Sequence, residues 1–417
     1  MFRSVTLLTS SSAISRLIAL ASLPAITRIY TPDTFGQFSI FVATLGLLLP
    51  LATLKFSDAV PLPERLGPAI NLCLLCLLTT GVVAAVAATA LTAVMLFAQY
   101  FGVARPATYY WLIVVGLIGV GLFETLNALA LRHKQFKPMA VALMSQSISS
   151  IALKIILGLL GLKVLGLVLG HIVSMTAGVA SLMRAMRRDI GKAFGLVSLR
   201  RVRVVSCRYA AFPGIRLPAQ FLLAFSTQLP ILYVGSIYGE KIVGQLGLAL
   251  TCIAIPVSLV GASLGQVLYA EMAELGESQP ERIRHLIQSV LLTSVALILV
   301  PATVLGIAAQ GLFAFVFGDE WLLAGRFAQL FSLYLAVQFC AVPLINTFSV
   351  FGDQRSFLVI NGVRVMLTVV AFCLSYLLQL EPISALTLFS VTLSIHYVYV
   401  IWSIFNRVNK ECLKNAS

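Results

Sequence analysis

Twelve stretches of about 20 or more mostly apolar residues follow one another along the chain, with short charged or turn-forming breaks between them. They run over 5–27, 37–57, 69–98, 107–131, 138–160, 164–186, 209–236, 244–270, 285–316, 322–350, 356–379 and 383–405. A run of that length crosses the hydrocarbon layer as a helix, because an open sheet cannot satisfy its backbone in lipid. No alternating pattern suggests a barrel. Only 11% of the 417 residues are charged and mean hydropathy is +0.99, so a water-soluble fold could not cover its own surface. The expected fold is all-α and integral to the membrane, with twelve spans. The third and ninth runs exceed the minimum and should tilt, bend or extend beyond the bilayer; Pro301 marks a bend in the ninth. Arg3 ahead of the first apolar run imitates a secretion signal. However, Arg16 interrupts that run and further spans follow at once, so it reads as a first membrane helix.

The basic residues orient the spans. If the N-terminus, the C-terminus and every even-to-odd connection share one side, that side carries twenty of the 29 Lys and Arg residues; the opposite side carries five. The remaining four, Arg16, Lys154, Arg216 and Arg364, fall within spans. This asymmetry places both termini in the cytoplasm. It also accounts for the net charge of +14 without invoking nucleic acid. Eight of the basic residues sit in the longest connection, about 184–208, where Leu196, Leu199, Val202 and Val205 interleave with arginines. That pattern fits a solvated linker or a segment lying on the membrane surface.

The two halves echo one another. "RIYTPDTFGQF" at 28–38 and "SIYGEKIVGQL" at 236–246 share Ile, Tyr, Gly and Gln at a constant shift of 208 residues. Pro24 and Pro50 recur as Pro230 and Pro256. Each half holds six spans, and an even number keeps both halves in the same orientation, as in a parallel repeat. The expected divisions are an N-terminal lobe at 1–186, a basic linker at 187–208, a C-terminal lobe at 209–405 and a cytoplasmic tail at 406–417.

The same residues resemble a known family. "LPAITRIYTPDTFGQFSIFVA" at 23–43 is similar to the N-terminal signature of the Wzx-type polysaccharide flippases, and the stretches at 208–250, 256–274 and 317–332 resemble later blocks. Where other members often carry an acidic, Tyr-containing stretch after the second helix, this chain has "LKFSDAVPLPE". The resemblance implies the multidrug/oligosaccharidyl-lipid/polysaccharide exporter superfamily, with two six-helix lobes around a central cavity. It further implies a non-enzymatic O-antigen-type flippase of the bacterial inner membrane, acting in surface polysaccharide or lipopolysaccharide biosynthesis. By alternating access it would move an undecaprenyl-pyrophosphate-linked oligosaccharide outward. The implied partners are that glycolipid, membrane lipid, and a polymerase or other glycan-assembly membrane proteins.

Such work needs no bond-making group, but it does need cations to offset the desolvation of a pyrophosphate. Arginine suits the task because its planar fork binds phosphate oxygens in pairs. Arg16, mid-way along the first span, and Arg216, among Pro213, Gly214 and Pro218 where the seventh span should bend or break, lead the candidates. Arg364 and Lys154 follow. Glu124, the one acid well inside a span, is expected to pair with Arg16 or to titrate as a coupling group. His171 and His396 are expected to hydrogen-bond neighbouring helices. Cys73 and Cys76 form a CxxC in the apolar run "NLCLLCLL" with no His or acid beside it, so no metal site or disulfide framework is expected. No cofactor is implied, and no Walker A pattern points to ATP. Two alternatives stand beside the flippase. A drug antiporter of the same superfamily would want acids in its spans, and a polysaccharide polymerase or ligase would carry a large outer loop.

Overall fold

The computed structural model describes residues 2–100, 108–193, 195–275, 279–351 and 354–416. Among them there is no strand. The helices are α1 (Phe2–Ile29), α2 (Pro32–Leu48), α3 (Leu66–Tyr100), α4 (Leu112–Arg132), α5 (Phe136–Leu159), α6 (Lys163–Thr176), α7 (Gly178–Ala193) and α8 (Leu199–Arg208). They continue with α9 (Leu217–Tyr238), α10 (Glu240–Pro256), α11 (Ala262–Leu275), α12 (Pro280–Phe317), α13 (Leu322–Ala341), the short α14 (Thr347–Val350), α15 (Gln354–Leu377) and α16 (Pro382–Ala416). Among the described residues, eleven helical segments are long and apolar enough to cross a membrane.

The expected eighth span, 244–270, differs from the rest. A π-helical turn at Val257–Gly261 interrupts it, leaving α10 and α11 as separate pieces. The break follows directly on Pro256, the residue that ends α10. Its counterpart Pro50 likewise falls just past the end of α2, in a 3₁₀ turn at Leu49–Leu51. A proline withholds an N–H and crowds the preceding turn, so the second span of each half ends or breaks at the repeated proline. The third and ninth runs form single long helices of 35 and 38 residues, about 50–57 Å at 1.5 Å per residue. Pro301 lies inside the continuous α12. The outer faces of these helices are aliphatic: Val82, Val86, Leu292, Leu299, Val300 and Ile307 are all exposed. Water would reject such a surface, whereas lipid solvates it.

Two compact units divide the chain. The first holds residues 1–30 and 37–228; the second holds 31–36 and 229–417. In the first, buried apolar residues of α3, α4, α5 and α7, including Leu72, Leu129, Ala142 and Met186, form one core cluster. Cys73 and Cys76 are buried in it with their thiols free. A second cluster joins Phe41 and Leu45 of α2 to Leu117 of α4 and to Val168 of α6. Helix α1 meets α5 through small polar residues: the Ser147 hydroxyl donates to the carbonyl of Ser15 at 2.9 Å. Small side chains let membrane helices approach closely. The basic connection folds onto this unit. Val202 and Val205 of α8 are buried while Arg200, Arg201, Arg203 and Arg208 are exposed. Asn71 of α3 fixes the segment by donating to the Leu196 carbonyl at 3.0 Å and accepting from the Ser198 amide at 3.1 Å.

In the second unit the core runs from Leu268 and Met272 of α11 through Ile283 and Ile287 of α12 to Val400 and Ile404 of α16. The opening turn of α2 belongs here, and the repeated Gly-Gln motif explains how it fits. A Cβ on Gly36 would lie 1.8 Å from the Glu240 carbonyl oxygen, and one on Gly244 would lie 1.9 Å from that of Pro32. Two helix starts cross backbone to backbone, which only glycine permits at both positions. The neighbouring Gln245 ties down the next helical start: its amide donates to the Glu320 carbonyl, and its Oε1 accepts from the Ala324 amide at 2.9 Å.

Candidate functional site

The charged and polar groups inside the spans gather in three places. The first lies where the chain leaves α2. Lys55 adopts a left-handed φ of 61° and lets a second 3₁₀ turn, Phe56–Ala59, fold back against α4. Thr53 and Ser57 then face Glu124. Their hydroxyls donate to its Oε2 at 2.9 and 3.3 Å. Among the described residues no ion pair joins Glu124 to Arg16, so the expected pairing is replaced by hydroxyl donors. The reason is local: the 3₁₀ fold-back brings two hydroxyls to the carboxylate, and they meet its need for donors without a second charge.

Arg216 belongs to the same region. The break expected around Pro213 and Gly214 is a π-helical turn, Phe212–Arg216, that precedes α9. From it the Arg216 guanidinium reaches Asp58 at 2.9 Å and lies over the Phe212 ring at 5.4 Å. The pair is not sealed off, since the two side chains are 60% and 39% exposed. An exposed pair contributes little to stability, which leaves the guanidinium able to exchange partners. Nothing in the sequence joined Asp58 to Arg216, which are 158 residues apart. Arg16 lies on α1 one residue beyond Ser15, which packs on α5; its own side chain is exposed and enters no ion pair among the described residues.

The second place is inside the first unit. Lys154, in the C-terminal part of α5, lies against Gly170 of α6, where a Cβ would come within 2.3 Å of its Cγ. Its ammonium sits 5.3 Å from the centre of the Phe38 ring, a cation–π contact. That ring in turn meets His171 edge-on at 5.7 Å. The Tyr30 hydroxyl donates to the Lys154 carbonyl at 2.7 Å.

The third is inside the second unit. Arg364 of α15 is only 7% exposed and lies over the Tyr397 ring of α16 at 5.6 Å. Gln338 of α13 donates to the Tyr397 hydroxyl at 3.2 Å, and Tyr334 packs beside that ring at 6.0 Å. Here and in the first unit the expected histidine hydrogen bonds are missing. Nε2 of His171 and both ring nitrogens of His396 are buried without a partner. Sequence reasoning placed these residues at depth in a membrane but could not say which way round the helix they point.

None of the three places couples a nucleophile to a base, and among the described residues no group of three His, Cys, Asp or Glu side chains could hold a metal. What they offer is charge, hydroxyls and aromatic faces.

The architecture has solved counterparts. An inward-facing multidrug resistance MATE family transporter of the MOP superfamily superposes with a TM-score of 0.70 at 13% identity, covering 96% of this chain and 98% of that one. The lipid II flippase MurJ, in an inward closed conformation, gives a TM-score of 0.67 at 11% identity, covering 99% of this chain and 91% of that one. At such identities the likeness is one of fold. It defines the class: a multi-pass membrane protein with the twelve-helix, two-lobe fold of the multidrug/oligosaccharidyl-lipid/polysaccharide exporter superfamily. Within that class, residues 25–325 match the family described as polysaccharide biosynthesis protein. The chain belongs to that family. No curated protein sequence matches it.

Proposed function

We propose that this protein is a flippase, not an enzyme, that carries an undecaprenyl-pyrophosphate-linked oligosaccharide across the bacterial inner membrane by alternating access, for O-antigen or related surface polysaccharide. Its family supports a role in polysaccharide biosynthesis. The observation that carries the choice of substrate is the charge within the spans: four basic residues, Arg16, Lys154, Arg216 and Arg364, against one acid, Glu124. An antiporter for cationic drugs would need the opposite balance.

In this reading both termini are cytoplasmic, the basic linker 187–208 joins the two lobes along the chain, and membrane lipid and glycan-assembly proteins such as a polymerase are the partners. Arg16 and Arg216, the exposed pair, take the pyrophosphate. Arg216 exchanges Asp58 for a phosphate oxygen, and its planar fork favours the phosphate. Lys154 and Arg364, held inside their lobes, set the charge of the surrounding helices. Glu124 holds the turn after α2 and is the candidate coupling group.

The test is deletion of the gene in its native host. Accumulation of complete lipid-linked repeat units on the cytoplasmic leaflet, restored to normal export by the full chain, is expected. Export of single unpolymerised units would identify a polymerase instead. Normal polysaccharide with raised sensitivity to cationic dyes would identify an antiporter.

A further inference from the structure

An arginine buried in a lipid-embedded lobe poses a sharper problem than a buried lysine. Lysine can shed its proton, but arginine stays charged in any protein setting. Arg364 is 7% exposed, and its Nε has no hydrogen-bond partner. No acid answers it. Helices α13 and α15 contain no Asp or Glu at all, and the single acid of α16 is Glu411. Glu411 is occupied by Arg407 at 3.2 Å and stands fourteen residues beyond Tyr397, about 21 Å along the helix. An uncompensated charge at this depth would be severely costly.

The Tyr397 hydroxyl accepts from Gln338, so its own hydrogen remains to be donated. The Arg364 guanidinium has donors only. His396, 2% exposed and adjacent to Tyr397 in α16, leaves both ring nitrogens unpartnered. Aromatic walls from Tyr334 and Tyr397, 7% and 3% exposed, close the site. A phosphate carrying a glycan is too bulky for such a setting, whereas a single desolvated ion is not. We propose that the second lobe holds one small monovalent inorganic anion, of the halide class, bound by the Arg364 guanidinium and the Tyr397 hydroxyl within the α13–α15–α16 core. The anion would be the counter-charge that the polypeptide lacks. This inference rests on the lobe's interior and does not depend on the export reading.

The experiment uses the purified full-length protein in detergent. Thermal unfolding is followed in sodium chloride and in sodium gluconate at equal ionic strength. A saturable rise of about 2–4 °C in chloride is expected, because a ligand that binds only the folded state stabilises it by mass action. Bromide should act likewise. In Arg364→Gln the difference between the two salts should vanish, and in Tyr397→Phe the chloride concentration giving half the rise should increase about tenfold. Should Arg364→Gln fail to fold, the wild-type protein still decides through ³⁵Cl NMR, where excess line broadening that bromide competes away is expected. Equal midpoints in chloride and gluconate for the wild type, or a chloride effect that survives Arg364→Gln, would overturn the proposal. So would line broadening that bromide does not displace.

Discussion

The two halves solve one assembly problem with the same residue and one charge problem with different residues. Tyr30 and Tyr238, the repeated tyrosines, both end a first span and both donate to a carbonyl at or just past the C-terminal part of a fifth span: Lys154 on one side at 2.7 Å, Leu380 on the other at 2.6 Å. The cations within the lobes also sit on the fifth spans, each over an aromatic ring at 5.3 or 5.6 Å and each in a lobe whose sixth span carries a histidine with a buried ring nitrogen that has no partner. Yet one is a lysine in the C-terminal part of α5, and the other is an arginine about 15 Å into α15. The repeat therefore preserves what holds a lobe together and lets the charge chemistry drift. Residues that matter for assembly should behave alike in both halves when changed; residues that matter for cargo or ions should not.

The largest effect is expected at the first spans. Arg16→Ala and Arg216→Ala should each reduce export at least about thirtyfold, since removing a charge-assisted phosphate contact costs roughly 2–5 kcal/mol. Lysine replacements should rescue in part, because the charge returns without the fork. Asp58→Asn, which frees Arg216 from its exposed partner, should leave export within about twofold. The measurement is surface polysaccharide normalised to the protein present in the membrane. Full complementation by both alanine variants at normal abundance would break the assignment of cargo to this pair.

Next come the glycines. Gly36→Ala and Gly244→Ala each push a methyl into a backbone carbonyl that has no rotamer to retreat to, and each should cost about 1–3 kcal/mol. Because the two clashes occur at one crossing, the double variant should lose less than the sum of the singles. Thermal midpoints in detergent give both numbers. A marked inequality between the two single variants would show that the crossing is not reciprocal.

Much of this architecture was legible in the sequence, for definite reasons. Spans reveal themselves because lipid tolerates few charges, so interruptions such as Arg132–Lys137 mark the connections. The repeated Gly-Gln motif was visible as identity, but its cause was not: that Gly36 belongs with Glu240 is a contact across 204 residues of chain. The broken eighth span has a signal in Pro256, whose echo at Pro50 reads as repetition in the sequence and as a helix ending only in the fold. Glu124 was seen to be deep, yet its hydroxyl partners lie 67 and 71 residues away on a fold-back turned by the left-handed Lys55. Residue depth follows from counting along a helix. Azimuth does not, when a helix is apolar on every side, and that is why Arg364 and Lys154 had no predicted neighbours.

The Glu124 site gives a mid-sized test of the same point. Glu124→Gln and Thr53→Val should couple by about 0.5–3 kcal/mol in a double-mutant cycle on stability, whereas Glu124→Gln and Arg16→Ala should add. Coupling in the second cycle at the size of the first would restore the ion pair.

The smallest and most symmetrical effect is reserved for the repeated tyrosines. Tyr30→Phe and Tyr238→Phe keep the rings and remove only the two hydroxyls. Each hydroxyl makes one short hydrogen bond to a backbone carbonyl towards the end of the fifth span of its half. One such bond is worth roughly 0.5–1.5 kcal/mol net, so each substitution should lower the thermal midpoint by a few degrees and leave export per folded molecule unchanged. The bonds lie in separate compact units, so the double variant should show the sum of the two losses. Equal, additive losses mean that the tyrosine is a fastener used twice. A loss of export in Tyr30→Phe alone, at normal abundance, would mean that the hydroxyl acts through the Lys154 backbone to set the position of that cation. The first half would then have put its fastener to a second use that the other half lacks.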